Sequence, residues 1–200
     1  MKLAFTKMHG CGNNYIYFNC FDQTVPDPES LSIKLSEPHF GIGGDGIILI
    51  SPSDKADAQM RIFNADGSEG KMCGNGIRCV GKYLYDNGMT DGRTTITIDT
   101  LSGVKTLELT VKDGKMQSAR VDMGAAILAP REIPVDMDGE NVISAPIVVD
   151  EKVYHMTCVS MGNPHCGIFQ KEDVDDLDLT RIGPKFEHHP LFRSVSTPSL

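Results

Sequence analysis

One amphipathic helix is written into this chain, and almost everything around it reads as short strands. From about Cys73 onward, Ile77, Val80, Leu84 and Gly88 recur at helical spacing, and Asn87-Gly88 makes a C-terminal stop. On either side the pattern changes to short apolar or alternating runs broken by Gly, Asn and Asp, which is strand chemistry. Lys2–Met8 and Tyr15–Cys20 flank the turn-rich Gly10-Cys11-Gly12-Asn13-Asn14. Gly46–Ser51 is a buried-strand candidate, and in Ala58–Ile62 the alternate residues Ala58, Met60 and Ile62 share a face. Thr94–Thr100 and Lys105–Lys112 follow, and Asp113-Gly114 turns the chain into Met116–Met123. A shorter helix is expected over Ser30–Glu37, stopped by Pro38. The class implied is α+β.

The chain divides into a first lobe, 1–118, and a second strand-rich stretch, 119–200, holding Ile147–Val149, Val153–Ser160 and His165–Gln170. Leu177–Glu187 reads as helical, interrupted at Gly183-Pro184. Met8–Asn13 and Val159–His165 each set a Gly-Asn turn ahead of a strand, which suggests two related halves of one architecture. Residues 193–200 have little periodicity and read as a divergent tail.

Charge and apolar runs exclude several function classes. The formal net charge is −8 and the Lys and Arg residues are scattered, so a nucleic-acid polyanion would be repelled. The longest run of Ile, Leu and Val, Ile47-Ile48-Leu49-Ile50, is far too short to span a bilayer. No apolar segment follows Met1–Lys7, so a cytoplasmic location and free thiols are expected for the six cysteines. There is no CxxC, and no His stands at ligand spacing from a Cys pair, so no metal site is expected.

The chemistry concentrates in Phe63–Gly70 and Lys71–Cys79. Together they read as a strand end, a polar turn and a Gly-rich helix start with Cys73 at its mouth. A helix N-terminus presents unpaired N–H groups and partial positive charge, which favour thiolate over thiol. Gly74 and Gly76 let a ligand approach the backbone, whose amides suit a carboxylate. Asn64 and Asn75 add polar groups without net charge. A buried Cys beside a Gly-rich turn is the plainer reading of Cys73 taken alone. Cys79, about 240° further round the helix, belongs to the core. His9 and His165 read as structural hydrogen-bonders, and His39, His188 and His189 as surface residues.

Five runs then carry a family resemblance, in order and at similar spacing: Lys7–Tyr15, His39–Gly46, Phe63–Ser68, Cys73–Arg78 and Ser160–His165. Over residues 2 to 192 the chain resembles the diaminopimelate epimerases. The resemblance implies an isomerase that interconverts LL- and meso-diaminopimelate in lysine and cell-wall precursor biosynthesis. It implies no pyridoxal phosphate or other cofactor. Two cysteines would face opposite sides of the substrate α-carbon, one removing a proton as thiolate and the other delivering one. By residue-wise transfer Cys73 is the first thiol. Gly74 and Asn75 supply amides to the substrate carboxylate, and Asn13, Asn64 and Asn163 hold its polar groups. Asn13 and Asn163 also suit plain turn chemistry, since Asn tolerates left-handed backbone. The implied fold is two α+β lobes, each a curled, mostly antiparallel sheet around a central helix, with a cleft between them. A homodimer is compatible with the resemblance.

Three departures matter. Gly46 stands where many relatives have Gln, and Asn14-Tyr15 where Asp-Phe is common. The family's later Glu-Cys-Gly-X-Gly-like run, with the second thiol, and its Glu-Arg pair have no counterpart here. The second lobe is therefore expected to be incomplete, the chain a truncated or frameshifted product, and turnover by it alone slight. A sister racemase or isomerase on the same scaffold, of the proline racemase or phenazine-pathway type, and a non-catalytic remnant are the competing readings.

Overall fold

The structure is a computed structural model that describes residues 2–162, 164–171 and 173–192. It divides into two compact units, Met1–Met123 and Gly124–Leu200. The division falls after Met123 and not after 118, because the hairpin strand Lys115–Val121 completes the first sheet.

In the first unit, β1 (Thr6–Gly10) and β2 (Asn13–Asn19) form a hairpin, with Gly10 paired to Asn13. The turn is thus only Cys11-Gly12, tighter than the five-residue segment expected, and both residues have positive φ. Helix α1 (Pro28–Ser36) carries the chain across to β3 (Gly46–Ser51), which lies parallel to β2. β4 (Ala58–Asn64) pairs antiparallel with β3, and the short β5 (Glu69–Gly70) folds back on β4. Helix α2 (Gly74–Asp86) then crosses to β6 (Thr95–Thr100), parallel to β4. β7 (Gly103–Lys112) and β8 (Lys115–Val121) finish the sheet as an antiparallel meander. Both parallel pairs span a helical crossover, as parallel strands require.

The order β1-β2-β3-β4-β6-β7-β8 puts β1 and β8 at opposite ends, yet α2 touches both. The sheet therefore curls around α2. Ile77, Val80 and Leu84, the periodic residues, are buried against Tyr15, Tyr17, Ile48, Ile50, Met60 and Ile62. Each such aliphatic side chain contributes about 1.5–3 kcal/mol of burial. The other sheet face buries Ile16, Phe18, Ile47, Leu49 and Phe63 under α1. Coverage on both faces explains why β3 is uninterruptedly apolar instead of alternating.

The second unit holds an antiparallel sheet ordered β11-β10-β9, from β9 (Val142–Val149), β10 (Lys152–Ser160) and β11 (Pro164–Ile168). Helix α3 (Leu179–Glu187) packs Ile182 and Phe186 on it, with Phe186 edge-on to Tyr154 at 5.0 Å. The expected interruption at Gly183-Pro184 does not occur: Pro184 lies inside α3. Asp150 receives Arg181 at 3.0 Å and Lys185 at 2.5 Å, tying the helix to the β9–β10 turn. His189, expected at the surface, is half-buried and contacts the Val148 carbonyl at 3.2 Å.

Candidate active site

Cys73 is the N-cap of α2, in extended backbone conformation (φ −139°, ψ 111°). Its sulfur accepts the Gly76 N–H at 3.2 Å, and its carbonyl accepts the Ile77 N–H at 2.9 Å. A capping sulfur thus does what a Ser or Asp oxygen does at other helix starts. Gly74 and Asn75 occupy the first helical positions, whose amides have no carbonyl a turn earlier to bond. Those amides and the positive helix end suit an anionic group. Gly76 is tightly held, since a Cβ there would stand 2.7 Å from Ile48 Cδ1.

The β1–β2 hairpin delivers the next group. Asn13 Oδ1 lies 3.3 Å from Cys73 Sγ, and Asn13 Nδ2 donates to Asp45 Oδ2 at 2.8 Å. The same oxygen of Asp45 accepts the Asn14 N–H at 2.7 Å, and the Asp45 N–H donates back to the Asn14 carbonyl at 2.7 Å. Gly10 packs so closely on α2 that an added Cβ would be 3.0 Å from the Asn75 carbonyl.

Asp45 also joins the third segment, because its carbonyl accepts the Ala65 N–H at 3.1 Å. Asn64 closes the turn after β4: its amide bonds the Ser68 carbonyl at 2.8 Å and its Nδ2 bonds Ser68 Oγ at 3.0 Å. Ser32 Oγ, buried on α1, donates to the Asn64 carbonyl at 2.7 Å. Asn75 Oδ1 accepts from Arg78 one turn later.

Thus Asn13 and Cys73 meet directly and Gly74 and Asn75 share the helix end, whereas Asn64 itself bonds Ser68 and only its neighbour Ala65 bonds Asp45. Asn163 lies outside the described residues. Two participants are missing from the list read from sequence. Asp45 orients Asn13, and its place in the Gly-rich run was the available signal. Tyr15, buried beside Cys73 and Asn13, has its hydroxyl pushed up to about 12, first by burial and then by the Cys73 sulfur. It therefore stays protonated near the thiol. Cys79 is buried in the core cluster around α2, and Cys20 packs on the α1 face. Cys11 is exposed, 3.8 Å from an Arg78 nitrogen. All six cysteines are free.

Gly46 has φ 149°, and a Cβ would stand 2.1 Å from the Phe63 carbonyl oxygen. In this chain the backbone itself demands glycine at position 46.

A half-buried thiol thus caps the helix, with an oriented amide facing it. It is mounted on a curled sheet around one helix. The fold has solved counterparts. A probable proline racemase from Agrobacterium radiobacter aligns with TM-score 0.64 and 17% identity over 91% of this chain and 53% of its own. A hydroxyproline epimerase from Agrobacterium vitis aligns with TM-score 0.61, covering 90% of this chain and 52% of its own. The family model for diaminopimelate epimerase matches residues 5–129. The diaminopimelate epimerase of Acetivibrio thermocellus is 56% identical over 190 residues, 95% of this chain and 67% of that protein. That of Methanococcus maripaludis is 53% identical over 190 residues. The chain belongs to the diaminopimelate epimerase family. It spans about two thirds of the length of these relatives and about half that of the solved structures.

Proposed function

We propose that this chain provides the Cys73 half of a diaminopimelate epimerase site, an isomerase acting on LL- and meso-diaminopimelate without pyridoxal phosphate. One observation supports it above the others: the Cys73 sulfur caps α2 between the Gly76 amide and Asn13 Oδ1. The helix end favours the thiolate that takes the α-proton, and the Asn13 oxygen accepts from the thiol that returns it. Gly74 and Asn75 take the substrate α-carboxylate, where their amides also stabilise charge developing at the α-carbon. Asn64 and Asn163 hold the remaining polar groups. The reading assigns the second thiol to none of the other five cysteines. It places the protein in the cytoplasm and is compatible with a homodimer. No helix among the described residues is long and apolar enough to cross a membrane.

The test uses Cys73 itself. Meso-diaminopimelate is expected to slow alkylation of Cys73 by iodoacetamide, followed by peptide mass mapping, while proline and glutamate do not. Protection by proline alone would transfer the site to the proline racemase type. Equal alkylation with every amino acid would favour a non-catalytic remnant. In deuterated water, these residues alone are expected to give little inversion; robust inversion would overturn the need for a second thiol.

A further inference from the structure

Three sulfur atoms meet on the strand pair β10–β11 of the second unit. Cys158 on β10 and Cys166 on β11 are directly opposed partners. Ser160 reveals how that pair sits in the ladder. Its N–H and carbonyl both bond Ile127, each at 2.9 Å, so both point away from β11. Residues two apart on a strand aim these groups the same way, so those of Cys158 also point away from β11, toward Val142 on β9. Pro164, opposite Ser160, has no N–H to offer in any case. Cys158 and Cys166 are therefore a non-hydrogen-bonded pair, the kind whose side chains approach most closely.

Met156 supplies the third sulfur. Its Sδ is 3.9 Å from Cys158 Sγ and 4.0 Å from Cys166 Sγ. The directly opposed register keeps the two thiols on one face of the strand pair. Two metal–sulfur bonds of about 2.3 Å at about 120° span roughly 4.0 Å, which matches both separations from Met156. The donor set selects the kind of ion. No group of three or more His, Cys, Asp or Glu side chains among the described residues is placed to hold a metal. The trio is thus two thiols and a thioether with no hard ligand. Zinc favours four N or S ligands, whereas Cys and Met together suit a soft monovalent ion. Access is provided: Cys166 is exposed, and both thiols line a cavity of about 600 Å³ shared with Pro164, His165 and Phe186.

We propose that Met156, Cys158 and Cys166 form a three-sulfur site for a soft monovalent cation of the Cu(I) type. Binding displaces both thiol protons to solvent, so the cation and two thiolates carry one net negative charge. No electron is transferred.

The test is anaerobic titration of the reduced full chain with Cu(I) held by a chromogenic chelator. The wild type is expected to withdraw one equivalent that Cys166→Ser fails to withdraw, with affinity falling at least a hundredfold. Met156→Leu is expected to weaken uptake about tenfold, as loss of an outer ligand does. X-ray absorption on the one-equivalent complex should show three sulfurs near 2.3 Å, the metal–thiolate length, roughly. Cys166 is exposed, so its variant should keep its fold, with circular dichroism as the check. Unchanged uptake by a folded Cys166→Ser overturns the site, as does a reduced wild type that takes no Cu(I). Unchanged affinity in Met156→Leu overturns the three-sulfur assignment.

Discussion

The Cys73 sulfur lies 3.3 Å from Oδ1 of Asn13. That oxygen, and not the amide nitrogen, faces the thiol because Asp45 is an acceptor and claims Nδ2 at 2.8 Å. Cys73 is therefore held between opposed preferences. An oxygen acceptor favours S–H, whereas the Gly76 N–H and the helix end favour S⁻. In the proposed function Cys73 takes and returns a proton, and contacts of both kinds serve such a role.

Asp45→Asn should shift this balance toward thiolate. It removes a negative charge near the sulfur and frees the Asn13 amide to turn its nitrogen inward. Alkylation of Cys73 by iodoacetamide at pH 7 is expected to accelerate by about three- to tenfold. A slower reaction would mean that Asp45 does not orient Asn13.

Gly46→Gln should damage this protein. The positive φ and the Phe63 carbonyl, 2.1 Å from any added Cβ, both resist a side chain. Phe63 is in the core and β3 is fixed on both faces, so the backbone has little room to yield. The expected loss is about 3 kcal/mol or more, read by urea unfolding. A variant as stable as wild type would place Gly46 in ordinary strand conformation.

Acid should weaken the first unit through Asp57. Burial pushes its carboxyl up, but the Arg93 guanidinium at 2.7 Å and the Thr97 amide and hydroxyl outweigh this and hold it below the usual range. A depressed folded value means stability that is present above about pH 3.9, the unfolded value, and lost as pH falls through the folded value. Asp57→Asn is expected to cost under about 1 kcal/mol at pH 7, because Arg93 is half in solvent. The gap between variant and wild type should close in acid. A gap that persists below the folded value would show that charge is not the link.

Much of the frame was legible because local chemistry and burial agreed. Ile77, Val80 and Leu84 marked α2 and are its buried face. Gly46–Ser51 is β3 residue for residue, since a run of isoleucines suits a strand covered on both sides. Pairings distant in sequence were hidden. The Gly-rich run drew notice to Asp45 but did not reveal that its carboxylate orients Asn13, because the hydrogen bond joins a loop to a hairpin. The sulfur trio was equally hidden, since the register of β10 on β11 brings Cys166 to Cys158. Pro184 misled in the other direction: packing of Ile182 and Phe186 and the Asp150 ion pairs hold α3 through it.

Beneath the site, Tyr17 offers a sharper test of how well the core is satisfied. It is on the same face of β2 as Tyr15, 1% exposed, and its hydroxyl is buried without a hydrogen-bond partner. Burial, and then the adjoining Cys79 sulfur, push that hydroxyl up, so it stays protonated. A buried unbonded hydroxyl has lost its water without replacement, which is a cost. Tyr17→Phe keeps the ring and removes the stranded group. Its unfolding free energy should be unchanged or higher by up to about 1 kcal/mol. A loss of that size instead would mean that Cys79 sulfur accepts from Tyr17, and Cys79→Ala should then cost the same in wild type and nothing further in Tyr17→Phe. The two single variants and the double variant, compared as a cycle, separate these outcomes without any assay of activity.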